Sequence, residues 1–194
     1  MVNVQDKQFG RYGNRFFQLA FIWGQFREGK IPDIYLQDYR YFDKYREELR
    51  QLFKQEGEPL DYVSIHIRRG KNPDNPDEPA YSDNNFYVDL IKTDYYKKAI
   101  EQFRGEKFMI FSDDDDILWN MSDLLHETEY EISYSSELGD FNKMARCKSH
   151  IIANSSYSYW CAYLSGNKTI APSVENWYTS GKELTICPSE WIRI

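Results

Sequence analysis

From residue 61 onward the chain alternates short β-rich runs with helical patterns, and that alternation limits the fold more than any other feature. DYVSIHI (61–67), KFMIFS (107–112) and SHIIANS (149–155) are apolar runs, each followed by a polar turn. YKKAIEQF (96–103), DILWNMSDLL (116–125), DFNKMARC (140–147) and SYSYWCAYL (156–164) carry helical patterning between or after them. Strand and helix in alternation predict βαβ units and a mostly parallel sheet. KTIAPS (168–173) and ELTICPSEW (183–191) supply closing strands or an extended tail. The resulting fold class is α/β, a Rossmann-like domain over 61–194.

Residues 1–60 read differently and predict a short helical lobe. The stretch 14–28 places Phe17, Leu19, Ala20, Phe21, Trp23 and Phe26 on a broad apolar stripe, opened by Gly10 and Gly13 and closed near Gly29. Residues 39–55 repeat an aromatic or Leu every three or four positions, the pattern of a second amphipathic helix. IPDIYL (31–36) between them reads as extended. Residues 71–89, with Pro73, Pro76 and Pro79 among acids and Asn, read as a long loop.

Ligands of parallel α/β sheets sit beyond the carboxyl ends of the strands, so three strand ends are the candidate site. At the first, alternation puts His66 and Arg68 on one face and Ile67 and Arg69 on the other. A guanidinium there offers a rigid fork of donors suited to phosphate or carboxylate, or it serves a surface ion pair. The second end, Ser112 to Asp116, crowds four carboxylates together. Helix capping, a divalent metal in a D-x-D arrangement, and hydrogen bonds from a base such as guanine each offset their repulsion, and capping alone leaves Asp113 unexplained. The third end, Asn154 to Ser158 with Ser155 and Ser156, opens an aromatic helix, where free backbone N–H groups and hydroxyls suit either a phosphate or plain capping. Gly13 and Asn14 precede the first helix in a G-x-x-G setting that permits close backbone approach.

Composition excludes several functions. With 24 basic against 31 acidic residues the net charge is −7, which disfavours nucleic acid and acidic membranes as partners. No run approaches the ~20 apolar residues of a membrane span, and Met1 to Gly10 has no secretory character. Three cysteines at wide spacing form no disulfide framework. A soluble, cytoplasmic protein is expected. Cys147-x-x-His150 is half a metal site and reads as core. No G-x-S-x-G elbow is present for a nucleophilic serine.

Taken together, GRYGNRFFQLAF (10–21), VSIHIRRG (63–70), FSDDDD (111–116), MARCKSHIIANSSYSYWCAYL (144–164), IAPSVENWY (170–178) and PSEWIRI (188–194) resemble family 11 glycosyltransferases, the α-1,2-fucosyltransferases. The resemblance spans nearly the whole chain in order. It implies a GT-B-type enzyme that moves L-fucose from GDP-β-L-fucose to a glycan hydroxyl, the 2-OH of a β-galactoside, with inversion and no essential metal or other cofactor. It further implies that Arg68 stabilises the departing phosphate. His66, Arg69, Asp113 and Asp114 would hold the nucleotide, with Asp113 on the guanine edge. Asn154, Ser155 and Ser156 would lie at the phosphates, and Gly13 and Asn14 would approach from the N-terminal lobe.

Three departures from the family pattern stand out. Lys71 replaces the Asp after R-R-G, Arg15 replaces the Gln after G-N, and the N-terminal portion is short. A homo-oligomer would rebuild the missing wall. The acceptor's general base is open, with Asp74, Asp77 and Glu78 placed by position. A GDP-sugar-binding or glycan-binding protein without catalysis, and a metal-dependent transferase built on Asp113-x-Asp115, are the rival readings.

Overall fold

The computed structural model describes residues 12–28, 38–69, 87–114, 123–125, 128–177 and 186–194. Six strands form one sheet: β1 (Leu60–Ile67), β2 (Phe108–Ser112), β3 (Tyr130–Ile132), β4 (Cys147–Ile151), β5 (Lys168–Ala171) and β6 (Ile192–Arg193). Their spatial order is 3-2-1-4-5-6 and every ladder between them is parallel. That is the strand order of the dinucleotide-binding Rossmann sheet, whose order reverses between the first and fourth strands.

β1 is central, and its residues Val63 to Ile67 are all buried although V-S-I-H-I alternates apolar and polar, because Ser64 and His66 find hydrogen-bond partners on the second face. Val63, Ile65 and Ile67 share one core with Tyr95, Tyr96, Ala99 and Ile100 of α3 (Tyr95–Glu101). The residues between them, Ser64 and His66, turn to the opposite face. There Ser64 Oγ lies 2.8 Å from His150 Nδ1 of β4, and His66 Nδ1 lies 2.9 Å from Ser158 Oγ. Ser158 belongs to α5 (Ser156–Ser165), the helix that covers this face.

The N-terminal helical segment is built into the core of that same face. α1 (Tyr12–Arg27) lays Phe17 against Tyr159 and Trp160 of α5, with ring centroids 4.7 and 5.0 Å apart. Phe16 stacks on Phe141 of α4 (Glu137–Ala145) at 5.0 Å. Phe42, fully buried, stacks on Trp160 at 5.2 Å. An aromatic cluster of this kind is worth ~3–5 kcal/mol for each ring truncated to Ala.

Residues 39–55 depart from the single helix expected of them. Two 3-10 turns, Tyr39–Tyr41 and Asp43–Tyr45, precede a short α2 (Arg46–Leu52). Asp38 starts the first turn by accepting the Arg40 amide at 3.0 Å. Phe42 at φ −125° and Tyr45 at φ −107° then leave helical geometry. Phe42 sits between Phe17, Trp160 and Tyr163, so tertiary packing overrides the local pattern.

β3 has no counterpart among the expected runs, and the expected closing run ELTICPSEW (183–191) holds no strand among its described residues 186–191. β3 is a three-residue edge strand, and the last strand lies at Ile192–Arg193. α6 (Val174–Trp177) follows β5. The expected extended run 31–36 and most of the 116–125 helix and the 71–89 loop lie outside the described residues.

Candidate active site at the strand ends

β1 and β4 diverge in connectivity at the reversal of strand order, and the residues that follow them are Arg68–Arg69 and Asn154–Ser156. β2, next to β1, ends at Ser112 and leads into Asp113 and Asp114. Ser112 Oγ donates to the Ile67 carbonyl at 2.9 Å and accepts the Asp114 amide at 3.0 Å, fastening the two strand ends together.

The arginines are already engaged. The Arg68 guanidinium pairs with the Asp113 carboxylate, whose other oxygen accepts the Arg69 backbone N–H at 2.9 Å. Arg69 Nη1 lies 3.8 Å from Asp114, and its Nε lies 3.8 Å from Asp89. Among the described residues, two guanidinium groups therefore meet three carboxylates. An incoming diphosphate competes for them rather than meeting bare cations. The guanidinium fork has five N–H donors, so one edge can hold a carboxylate while another faces a phosphate. Tyr87 stands nearby: burial raises its phenol pKa, and the Arg68 charge opposes that rise.

Behind these groups the α5 N-terminus is closely packed. Ser155 is its N-cap, accepting the Tyr157 amide at 3.3 Å, and Ser156 is the first helical residue. Gly13 of α1 presses against this turn. A Cβ at Gly13 would lie 2.3 Å from the Ser156 carbonyl carbon and 2.4 Å from the Tyr157 nitrogen, so only glycine fits. Asn14, next on α1, is thereby brought to the same place along the backbone. Two helix N-termini, α1 and α5, thus meet beside the β1–β4 reversal, and their partial positive charge favours an anion there.

His66 and Asn154 lie deeper than the other candidates. His66 is 5% exposed, with its ring 5.5 Å from that of Tyr157 and its carbonyl accepting the Tyr96 hydroxyl at 2.8 Å. Asn154 is 3% exposed and donates from its side-chain amide to the carbonyls of Val88, Trp177 and Asn176.

Cys147 and His150 belong to β4 and the core, as their sequence setting suggests. Burial pushes the Cys147 thiol up to about 12 and pulls His150 down to about 3. His150 Nε2 lies 2.6 Å from Ser165 Oγ, which completes a Ser64–His150–Ser165 chain running from the core to the half-buried Ser165. Among the described residues no group of three or more His, Cys, Asp or Glu is arranged to hold a metal. Asp115, Asp116, Lys71, Asp74, Asp77 and Glu78 lie outside the described residues, as do the side chains of Asn14 and Arg15. No helix among the described residues is long and apolar enough to cross a membrane.

Sequence reasoning singled out neither Tyr87 nor Asp89. Ser158 closes the strand end Asn154 to Ser158 that the sequence marks, and its partner His66 comes from another marked end. Tyr87 and Asp89 follow the proline-rich stretch with no chemical pattern to mark them.

Comparison with known proteins gives a consistent picture. Residues 10–194 match the profile of Glycosyl transferase family 11. The chain is 32% identical over 141 residues to the O-antigen biosynthesis glycosyltransferase WbnK of Escherichia coli, covering 68% of this chain and 44% of that protein. It is 31% identical over 182 residues to an alpha-1,2-colitosyltransferase of Escherichia coli, covering 81% of this chain and 60% of that protein. The chain thus spans about half the length of these curated relatives.

Proposed function

The chain belongs to glycosyl transferase family 11, and on that premise we propose that it transfers L-fucose from GDP-β-L-fucose to the 2-OH of a β-galactoside, with inversion. The observation that carries this reading is the meeting of Arg68, Arg69 and two helix N-termini at the reversal point of a 3-2-1-4-5-6 sheet. In such sheets that point receives the phosphates of a nucleotide.

In the proposed reaction the acceptor hydroxyl oxygen bonds to C1 of the fucose. The bond from C1 to the β-phosphate oxygen breaks, and its electron pair leaves on GDP. The hydroxyl proton passes to a carboxylate of the 71–89 segment, Asp74, Asp77 or Glu78. Negative charge grows on the diphosphate, and Arg68 and the amide dipoles are oriented to meet it without an essential metal. Arg69 and Asp114 hold the nucleotide beside it. Asp113 orients Arg68 and keeps lone pairs for the guanine edge, since a carboxylate has about four acceptor sites. Ser155, Ser156, Gly13 and Asn14 line the phosphate side, and His66 supports the strand end beneath them.

The colitosyltransferase relative makes the donor sugar the point to resolve. The experiment is incubation with GDP-fucose, or with a donor carrying colitose, over a glycan acceptor array, with the product linkage mapped and EDTA as one arm. Fucose in α-1,2 linkage, insensitive to EDTA, supports the proposal. GDP binding without turnover on any acceptor replaces it with a nucleotide-sugar-binding protein. Loss of activity in EDTA with recovery in manganese replaces it with metal-dependent chemistry.

A further inference from the structure

Asn154 stands at the turn between β4 and α5, where its neighbour Ser155 already supplies the helix cap. The Asn side chain is therefore not needed for capping. Its Nδ2 donates at 2.8 Å to the carbonyl of Val88, 66 residues earlier in the chain. The same amide group reaches the Trp177 carbonyl at 3.2 Å and that of Asn176 at 3.4 Å. Val88 in turn donates its own N–H to the Trp177 carbonyl at 3.4 Å. One buried amide thus ties the end of α6 and the segment 87–89 to the head of α5.

The residues flanking Val88 are those that face the arginines. Tyr87 feels the charge of Arg68, and Asp89 lies 3.8 Å from Arg69 Nε. We propose that Asn154 is a positioning residue: by clamping the Val88 carbonyl it holds Tyr87 and Asp89 where they orient the Arg68–Arg69 pair for a diphosphate. Asp89 caps the 3-10 turn Leu90–Lys92 by accepting the Ile91 amide at 3.3 Å, and the Asn154 amide ties the start of that turn to the head of α5. This rests on the reading that Arg68 and Arg69 bind the diphosphate of the donor.

The test combines a ligand-free measurement with a mutant cycle on the full chain. In Asn154→Ala, hydrogen exchange read by mass spectrometry is expected to rise in peptides covering 87–92 and to stay unchanged in those covering β1 and β4. Calorimetric GDP affinity is expected to fall about tenfold, the scale of one buried hydrogen-bond site left unpaired. Asp89→Asn is expected to shift GDP affinity in the wild-type background and to have no further effect in Asn154→Ala, because the clamp through which it acts is gone. Asn154→Asp, which sets a buried carboxylate against the three carbonyl oxygens of Val88, Trp177 and Asn176, is expected to lose at least as much as Asn154→Ala. Uniform exchange across the sheet, unchanged exchange at 87–92, or an additive cycle overturns the proposal. A wild-type chain that takes up no GDP, with localised exchange in the variant, overturns the donor reading and leaves the clamp standing.

Discussion

Arg68 and Asp113 lie just past the ends of adjacent parallel strands and form an ion pair, and the same carboxylate fixes the Arg69 amide at 2.9 Å. The pair is half sheltered, with the side chains 17% and 26% exposed, so solvent screens it only partly. Its geometry makes Asp113 a support for Arg68 as well as a group available to the nucleotide. Arg68→Ala and Asp113→Ala are therefore expected to be strongly non-additive. Once Arg68 is gone, removing Asp113 loses only its contact with Arg69 and the base. A double-mutant cycle on GDP affinity checks this, and additive losses would show that the two side chains act separately.

Arg68→Ala is expected to leave the fold intact, because the side chain sits at a strand end outside both hydrophobic clusters. Transfer is expected to fall by ~10²–10³, the usual cost of losing one charge-stabilising donor. Arg68→Lys keeps the charge but not the fork, and recovers only part of the loss. Initial rates with GDP-fucose and a galactoside, beside thermal melts of each variant, make the comparison. Activity within a few-fold of wild type in Arg68→Ala would remove Arg68 from the mechanism.

How much of this was visible in the residues depends on burial. β2 is legible as an unbroken apolar run and β1 as alternation through V-S-I-H-I, while β4 is marked by His150 and Ile151 at its end, and the turns after the three name Arg68, Asp113 and Ser155. β3 was not, since Tyr130, Glu131 and Ile132 at the sheet edge alternate over only three residues. The helix expected over 39–55 broke because Phe42 is drawn among Phe17, Trp160 and Tyr163, contacts that no local pattern encodes. Asn154 was visible as a site residue, but its bond to Val88 crosses 66 positions and only the fold reveals it.

Gly13→Ala is expected to destabilise the chain through backbone that cannot yield. The added methyl meets the Ser156 carbonyl carbon and the Tyr157 nitrogen, both in the first turn of α5. Relief requires α1 to lift from α5, which loosens the contact of Phe17 with Tyr159. Overpacking of this kind costs ~1–3 kcal/mol, and ~2–4 °C of Tm accompanies each kcal/mol in a chain of this size. Thermal melts check the loss. An unchanged Tm would mean that the two helix N-termini are not in contact.

His150 gives the fold a dependence on acid. Burial depresses its pKa to about 3, while in the unfolded chain it returns to about 6.5. Above pH ~6.5 the imidazole is neutral in both states, and its contribution to stability is fully present. As pH falls from ~6.5 toward 3, the unfolded chain binds the proton and the folded chain resists it, so stability drops by up to ~1.4 kcal/mol per pH unit. At pH 5 the loss from this group alone is ~2 kcal/mol. Urea unfolding at pH 7.5, 6 and 5 is expected to show the midpoint falling in wild type. His150→Gln is expected to start from a lower midpoint, because the bonds to Ser64 and Ser165 are disturbed, and then to fall less steeply. Because every other group is common to the two proteins, the difference between the two curves isolates His150. Parallel curves would place the acid sensitivity elsewhere in the chain.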